Sequence, residues 1–256
     1  LNINADFIKS KITKKTKAIM PVHLSGIPSN LEKIKSIIKR KKILLIEDAA
    51  HAFGSKYKNK YLGTIGDIGI FSLHPRKNFH VLGDGGLIVT NNKKIYKKIK
   101  LLRNHGLKNR DTSLIWGTNS RLDNIQAGFG NIMLKNIKKW NKKHLDIAEF
   151  YNKNLKGYVK LPVYNKKISI PTFHQYIIRT NKRNALRKYL TKKGIVTAIH
   201  YPTPIHMQKS FGLNYKKIKL AMTEKYSKEI LSLPIHPYLK TYELKYIVDS
   251  IKKFFI

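Results

Sequence analysis

Two short stretches of this chain hold the residue types, at the spacing, that chemistry needs. In the first, Glu47, Asp48, Ala49, Ala50 and His51 directly follow the apolar run 43–46. Open α/β sheets turn the polar groups at their strand C-termini toward a ligand crevice, so a carboxylate here is placed to hold a proton or a cation. Acidic strand ends also cap turns, and that reading stands beside the first. In the second, FSLHPRKNFHVLGDGG (71–86), Ser72 closes an apolar run, and His74, Pro75 and Lys77 follow on the connection. Gly83, Asp84, Gly85 and Gly86 then open the next apolar run. Pro75 stiffens the approach, and the glycines permit positive φ or a close backbone approach. In a lysine-rich chain a single lysine is by default a solvated surface charge, so the case for Lys77 rests on its neighbours.

The elements that must position these residues read as α/β. AIMPVHL (18–24) is a strand, followed by a capping box of Ser29 and Glu32 and an apolar stripe of Leu31, Ile34, Ile37 and Ile38 that ends in the cations 39–42. ILLIEDAA (43–50) is a buried strand, and DIGIFSL (67–73) and GGLIVT (85–90) are further strands. Helical spacing marks Ile95, Ile99 and Leu102, then Leu122, Ile125, Phe129, Ile132 and Met133, then Trp140 to Leu155. Beyond the Pro-bounded LPVYNKKISIP come TFHQYIIRT, a helix over 182–193, a strand GIVTAIHY (194–201), and helices over 217–230 and 241–255. Alternating strands and helices predict a large mostly parallel sheet domain over 1–150 and a small C-terminal α/β domain over 151–256.

Composition bounds the rest. The chain has 256 residues, no cysteine and a formal charge of +38. Disulfides, cysteine metal sites and cysteine nucleophiles are excluded. At 42% hydrophobic residues it can bury a core. No apolar run reaches the ~20 residues of a membrane span, and the first residues lack the apolar stretch of a secretory signal, so the expected location is cytoplasmic. Arginine supplies only eight of the 52 basic residues, and the lysines are spread along the whole length. Nucleic-acid binders concentrate basic residues on one face and favour arginine, so no specific nucleic-acid or membrane partner is expected. A zinc site built from Asp48, His51 and His74 lacks any compact His-x3-His or cysteine pairing; no metal is expected.

EDAAHAFG (47–54), GDIGIFSLHPRKN (66–78) and GDGG (83–86) closely resemble the DegT/DnrJ/EryC1/StrS family of pyridoxal-phosphate-dependent sugar aminotransferases. PVHLSG (21–26), RNHG (103–106), NSRLDNIQAGFG (119–130), IHYPTPIHMQ (199–208) and SLPIHP (232–237) follow in the family's order, so the resemblance covers essentially the whole chain. It implies the fold-type I transferase fold and a homodimer. It also implies roles. Lys77 would bond through its amine to the aldehyde of pyridoxal phosphate and later shuttle a proton, for which the amine must be available unprotonated. Asp48 would keep the pyridine nitrogen protonated. His51 would lie near the cofactor ring or its 3-hydroxyl, Ser72 would donate to the phosphate, and Asn119 would reach the phosphate of the neighbouring subunit. His200, Tyr201 and His206 would line the substrate side. Arg76 stands beside Lys77, but the HPxKN spacing selects Lys77, and a guanidinium forms no stable Schiff base.

The implied activity is conversion of a nucleotide-linked ketosugar to an aminosugar, with a glutamate-type donor, for surface polysaccharide or lipopolysaccharide synthesis. Some relatives that remove a sugar hydroxyl without net amination carry His at the lysine position; a related dehydratase, or a non-catalytic polyanion-binding remnant of the fold, are the alternatives. His23, His105, His174 and His236 are expected to be packed or surface histidines. The chain begins at a segment that in relatives lies inside the large domain. A front part with a Gly-Thr phosphate-binding turn is therefore expected to be missing, and the chain alone is expected to bind the cofactor poorly or aggregate.

Overall fold

The computed structural model describes residues 1–212 and 218–256. The chain divides into two compact units, one of residues 2–141 and 164–174, the other of residues 1, 142–163 and 175–256. The boundary expected at 150 falls inside a helix, Ile137–Asn154.

The first unit is built on a sheet of β1 (Ala18–Ile19), β2 (Leu44–Asp48), β5 (Ile68–Ser72) and β6 (Gly86–Val89), in the order β1-β2-β5-β6. The first two pairings are parallel and the last is antiparallel. A hairpin of β3 (Lys56–Tyr57) and β4 (Lys60–Tyr61) pairs with β7 (Ser169–Ile170) in a second sheet. Helices α1 (Ile8–Lys11), α2 (Leu31–Ile38), α3 (Lys93–Leu102) and α4 (Asn124–Leu134) complete it, and α5 (Ile137–Asn154) begins in it and continues into the second unit from residue 142. Alternation sorts β2: Leu45 and Glu47 are buried on one face, while Ile46 and Asp48 on the other are half-buried. Leu31 and Ile34 of α2, one helical turn apart, join Leu45, Ile19, Leu62 and Phe71 in the core, each contributing roughly 1.5–3 kcal/mol by leaving water.

Two local expectations are corrected here. The strand expected over 18–24 stops at Ile19, because Pro21 has no N–H to give the ladder; only its carbonyl is used, by Asp48 N–H at 3.0 Å. The N-cap of α2 is Asn30, whose side chain accepts from Lys33 N–H, not Ser29. Ser29 is buried and serves elsewhere, its hydroxyl donating to the Val22 carbonyl at 3.1 Å.

In the second unit β8 (Tyr176–Arg179) and β9 (Ile230–Leu233) pair antiparallel, accompanied by α6 (Arg183–Lys192), α7 (Ala221–Glu229) and α8 (Thr241–Phe255). Leu244, Ile247, Val248 and Ile251 form the buried stripe of α8, which packs on α6. The strand expected over 194–201 is reduced to a single bridge, Ala198 to Ser232. Residue 217, the expected start of the helix before β9, lies outside the described residues. No described helix is long and apolar enough to cross a membrane.

Candidate functional site

Parallel pairing of β2 with β5 sets Asp48 opposite Ile70, two residues before Ser72, so Asp48 and Ser72 emerge at the same end of adjacent strands. Two backbone bonds tie Asp48 to the 21–23 segment: its N–H donates to the Pro21 carbonyl and its own carbonyl accepts from His23 N–H, both at 3.0 Å. Its Oδ1 accepts from Ala50 N–H at 3.0 Å; among the described residues, Oδ2 accepts no hydrogen bond.

The preceding carboxylate has the opposite fate. Glu47 is fully buried, with Oε2 accepting from His23 Nε2 at 3.0 Å and Gly63 N–H at 2.9 Å, and Oε1 accepting from the Ile65 and Gly66 amides at 2.6 Å each. His23 Nδ1 accepts from Ser29 N–H at 3.1 Å, so its one remaining proton sits on Nε2 and the imidazole is neutral. Burial pushes the Glu47 carboxyl up, but these donors outweigh it and hold it below the ordinary range. Glu47 is scaffold, locking the loop before β5 to the end of β2.

Past Ser72 the chain turns. His74 N–H donates to Ser72 Oγ at 3.3 Å, leaving that hydroxyl's own proton to give, and Lys77 N–H donates to the His74 carbonyl at 2.9 Å. Lys77 is half-buried. Burial lowers the proton affinity of its amine, and the Asp48 carboxylate partly restores it, so the two groups act on each other across the strand ends. Among the described residues no hydrogen bond or ion pair engages Lys77 Nζ. Arg76 is exposed, its N–H donating to His74 Nδ1 at 3.1 Å.

His51 accepts at Nδ1 from Ser25 N–H at 3.3 Å, and its ring lies 4.4 Å from that of His174. His174, expected to be an ordinary packed or surface histidine, therefore belongs to this neighbourhood, as do Asn78, Thr172 and Asn141. Asn78 Nδ2 donates to Asn141 Oδ1 at 3.2 Å and to the Thr172 carbonyl at 3.1 Å, and Oδ1 faces His174 Nδ1 at 3.1 Å. Only the adjacency of Asn78 to Lys77 was visible in the sequence; His174 is 96 positions away.

Asn119 is exposed, bridged to Asn104 and accepting at Oδ1 from Arg121 Nε at 3.0 Å. His200, Tyr201 and His206 belong to the second unit. There, His200 Nδ1 meets Ser232 Oγ at 2.8 Å, Tyr201 is exposed, and buried His206 meets Glu224 Oε1 through Nε2 at 3.0 Å. Among the described residues no three His, Asp or Glu side chains gather as metal ligands would.

Residues 1–252 match the model of the DegT/DnrJ/EryC1/StrS aminotransferase family. The "Pleiotropic regulatory protein" of Geobacillus stearothermophilus is 39% identical over 99% of this chain and 69% of its own length. The dTDP-3-amino-3,4,6-trideoxy-alpha-D-glucose transaminase of Streptomyces venezuelae is 32% identical over 96% of this chain and 65% of its own. Among solved structures, S. venezuelae DesV, crystallised with a ketimine intermediate, superposes with a TM-score of 0.93 at 30% identity, over 99% of this chain and 69% of that one. The chain thus spans about two thirds of the length of these relatives.

Proposed function

The chain belongs to the DegT/DnrJ/EryC1/StrS aminotransferase family, and from that premise we propose that it serves pyridoxal-phosphate-dependent amino transfer to a nucleotide-linked ketosugar. One observation carries the reading: among the described residues, a half-buried amine that no side chain or backbone group hydrogen-bonds, Lys77, follows the end of the strand paired in parallel with the one that ends in Asp48, a carboxylate with one oxygen left open. That donor set fits a phosphorylated hydroxypyridine aldehyde. An amine is there for the aldehyde, an acid for the ring nitrogen and a hydroxyl, Ser72, for the phosphate.

When bound, pyridoxal phosphate supplies the aldehyde and an electron-withdrawing ring. The chain's own residues do the rest. Burial keeps the Lys77 amine easier to deprotonate than a surface lysine, so Lys77 would be the residue that holds the aldehyde end of the group and that moves a proton to and from the substrate carbon. Asp48 holds the proton on the ring nitrogen, His51 serves the ring or its 3-oxygen, and Ser72 donates to the phosphate. A glutamate-type donor leaves as its 2-oxo acid, and the ketosugar's carbonyl carbon gains the amino group. Asn119, exposed on its loop, serves the phosphate of a neighbouring copy, which makes a homodimer the working unit. His200, Tyr201 and His206 serve the sugar nucleotide, and the product feeds surface polysaccharide synthesis.

The test is chemical. The chain is incubated with pyridoxal phosphate, reduced with borohydride, and digested for peptide mass spectrometry. Label on Lys77, absent in Lys77→Ala, is expected; label spread over surface lysines would overturn the assignment. The product formed with glutamate and nucleotide ketosugars separates the two chemistries: an amino product supports amino transfer, whereas a deoxy product without nitrogen would show dehydration instead.

A further inference from the structure

Behind His51 stands a latch of neutral polar groups. Asn78 gives both its amide hydrogens away, to Asn141 Oδ1 and the Thr172 carbonyl, so its Oδ1 must face His174 and accept from His174 Nδ1–H at 3.1 Å. Asn141 is itself anchored, with Nδ2 donating to the Phe53 carbonyl at 3.0 Å. The His174 ring is thereby turned flank-on to His51, with ring centres 4.4 Å apart and planes inclined at 48°. Ser25 joins the two from the other side. Its N–H donates to His51 Nδ1 at 3.3 Å, and its carbonyl accepts from His174 N–H at 3.1 Å. Ser25 adopts φ 60° and ψ 13°, a left-handed conformation costly for a residue with a Cβ, and is almost wholly buried. With Nδ1 committed as an acceptor, the neutral His51 ring carries its proton on Nε2.

We propose that Asn78 and His174 are positioning residues of this site, holding the His51 imidazole in one orientation and one tautomer and tying it to the peptide that carries Lys77. The ligand group so served is the 3-oxygen of a hydroxypyridine, an acceptor that an Nε2–H can address; this rests on the pyridoxal phosphate reading above. His174 is the wall and Asn78 the latch. Both act through His51.

Imidazole nitrogen NMR on the histidine-labelled, cofactor-free full chain tests this, at mildly alkaline pH where imidazoles are neutral. His51 is expected to show a lone-pair Nδ1 and a protonated Nε2. His174→Ala and Asn78→Ala should each replace this with averaged shifts, while His174→Phe, which restores a flat wall, should recover the single tautomer. Pyridoxal phosphate binding, followed by absorbance titration, should weaken about tenfold in both alanine variants, in line with loss of roughly one buried hydrogen bond or packed ring. Asn78→Ala carries the test if His174→Ala fails to fold. An unchanged His51 tautomer in a folded Asn78→Ala variant would overturn the proposal. Loss of the tautomer in that variant, in a chain whose wild type takes no label on Lys77, would uphold the latch and reject the cofactor reading.

Discussion

The His23 imidazole and the Glu47 carboxylate meet at 3.0 Å with neither side chain exposed to solvent. Three amides of the loop before β5, at Gly63, Ile65 and Gly66, close on the same carboxylate. The result binds three segments together: the 21–29 segment, the end of β2 and the loop that launches β5. Asp48, next in sequence, inherits its position from this knot.

Breaking the knot by removing one partner leaves buried donors unpaired. Glu47→Ala is expected to cost about 3–5 kcal/mol in urea unfolding. The pH dependence has a definite sign. Folding depresses the Glu47 carboxyl below its unfolded value, so its contribution is complete above an unfolded pKa of about 4.3 and is lost as pH falls through the lower folded value. Glu47→Gln should therefore lose part of the wild-type decline in stability on acidification; identical slopes for the two proteins would refute the ionised assignment.

Lys77 should titrate below the bulk of the lysines, because burial outweighs the pull of Asp48. Asp48→Asn removes that pull, so the Lys77 amine is expected to release its proton at a still lower pH. Reductive methylation with labelled formaldehyde, followed by carbon NMR, reads this directly. A rise in Asp48→Asn would mean that the two groups do not share a field.

A methyl group at Gly69 would fall 1.8 Å from the Gly63 carbonyl oxygen, inside the loop that grips Glu47. The three nearest atoms are all Gly63 backbone and cannot swing aside, so Gly69→Ala is expected to cost about 3 kcal/mol or more, or to prevent folding. Gly128 in α4 is the control: nothing lies within 4 Å of its added carbon. Gly128→Ala should leave stability unchanged or raise it by about 0.5–1 kcal/mol, as a helix interior prefers. Thermal melting of both variants checks the contrast.

Tyr151 Oη donates to the Pro234 carbonyl at 2.8 Å inside the second unit, and burial pushes its hydroxyl well above the ordinary range. Tyr151→Phe keeps the ring but strips the bond, with an expected loss of about 1–2 kcal/mol in chemical denaturation. A neutral effect would indicate that water replaces the hydroxyl.

The two motif stretches and the strands that carry them could be read from the chain because they are local: an apolar run, then a carboxylate, or an apolar run, then a hydroxyl and a lysine. The helices at 93–102 and 241–255 were legible for the same reason, since a one-sided apolar stripe is a property of neighbours three and four apart. The errors were local competitions decided by distant partners. Ser29 looked like a cap, but its hydroxyl was drawn to Val22 and its amide to His23, and Asn30 took the helix end. GIVTAIHY has the residues of a strand, yet only Ala198 forms a bridge to β9.

From residues alone came the order of the motifs, the lysine, the carboxylate after an apolar strand and, through the resemblance they carry, the family. Which of two adjacent carboxylates would be buried and which left half-exposed was decided only in three dimensions, because alternation along β2 sends Glu47 to His23 and the loop amides and Asp48 to the other face. Likewise His174 reached His51 only by folding. Nothing in spacing encodes the bond between Asn78 and His174, 96 positions apart, nor the ring contact that His174 makes with the still more distant His51.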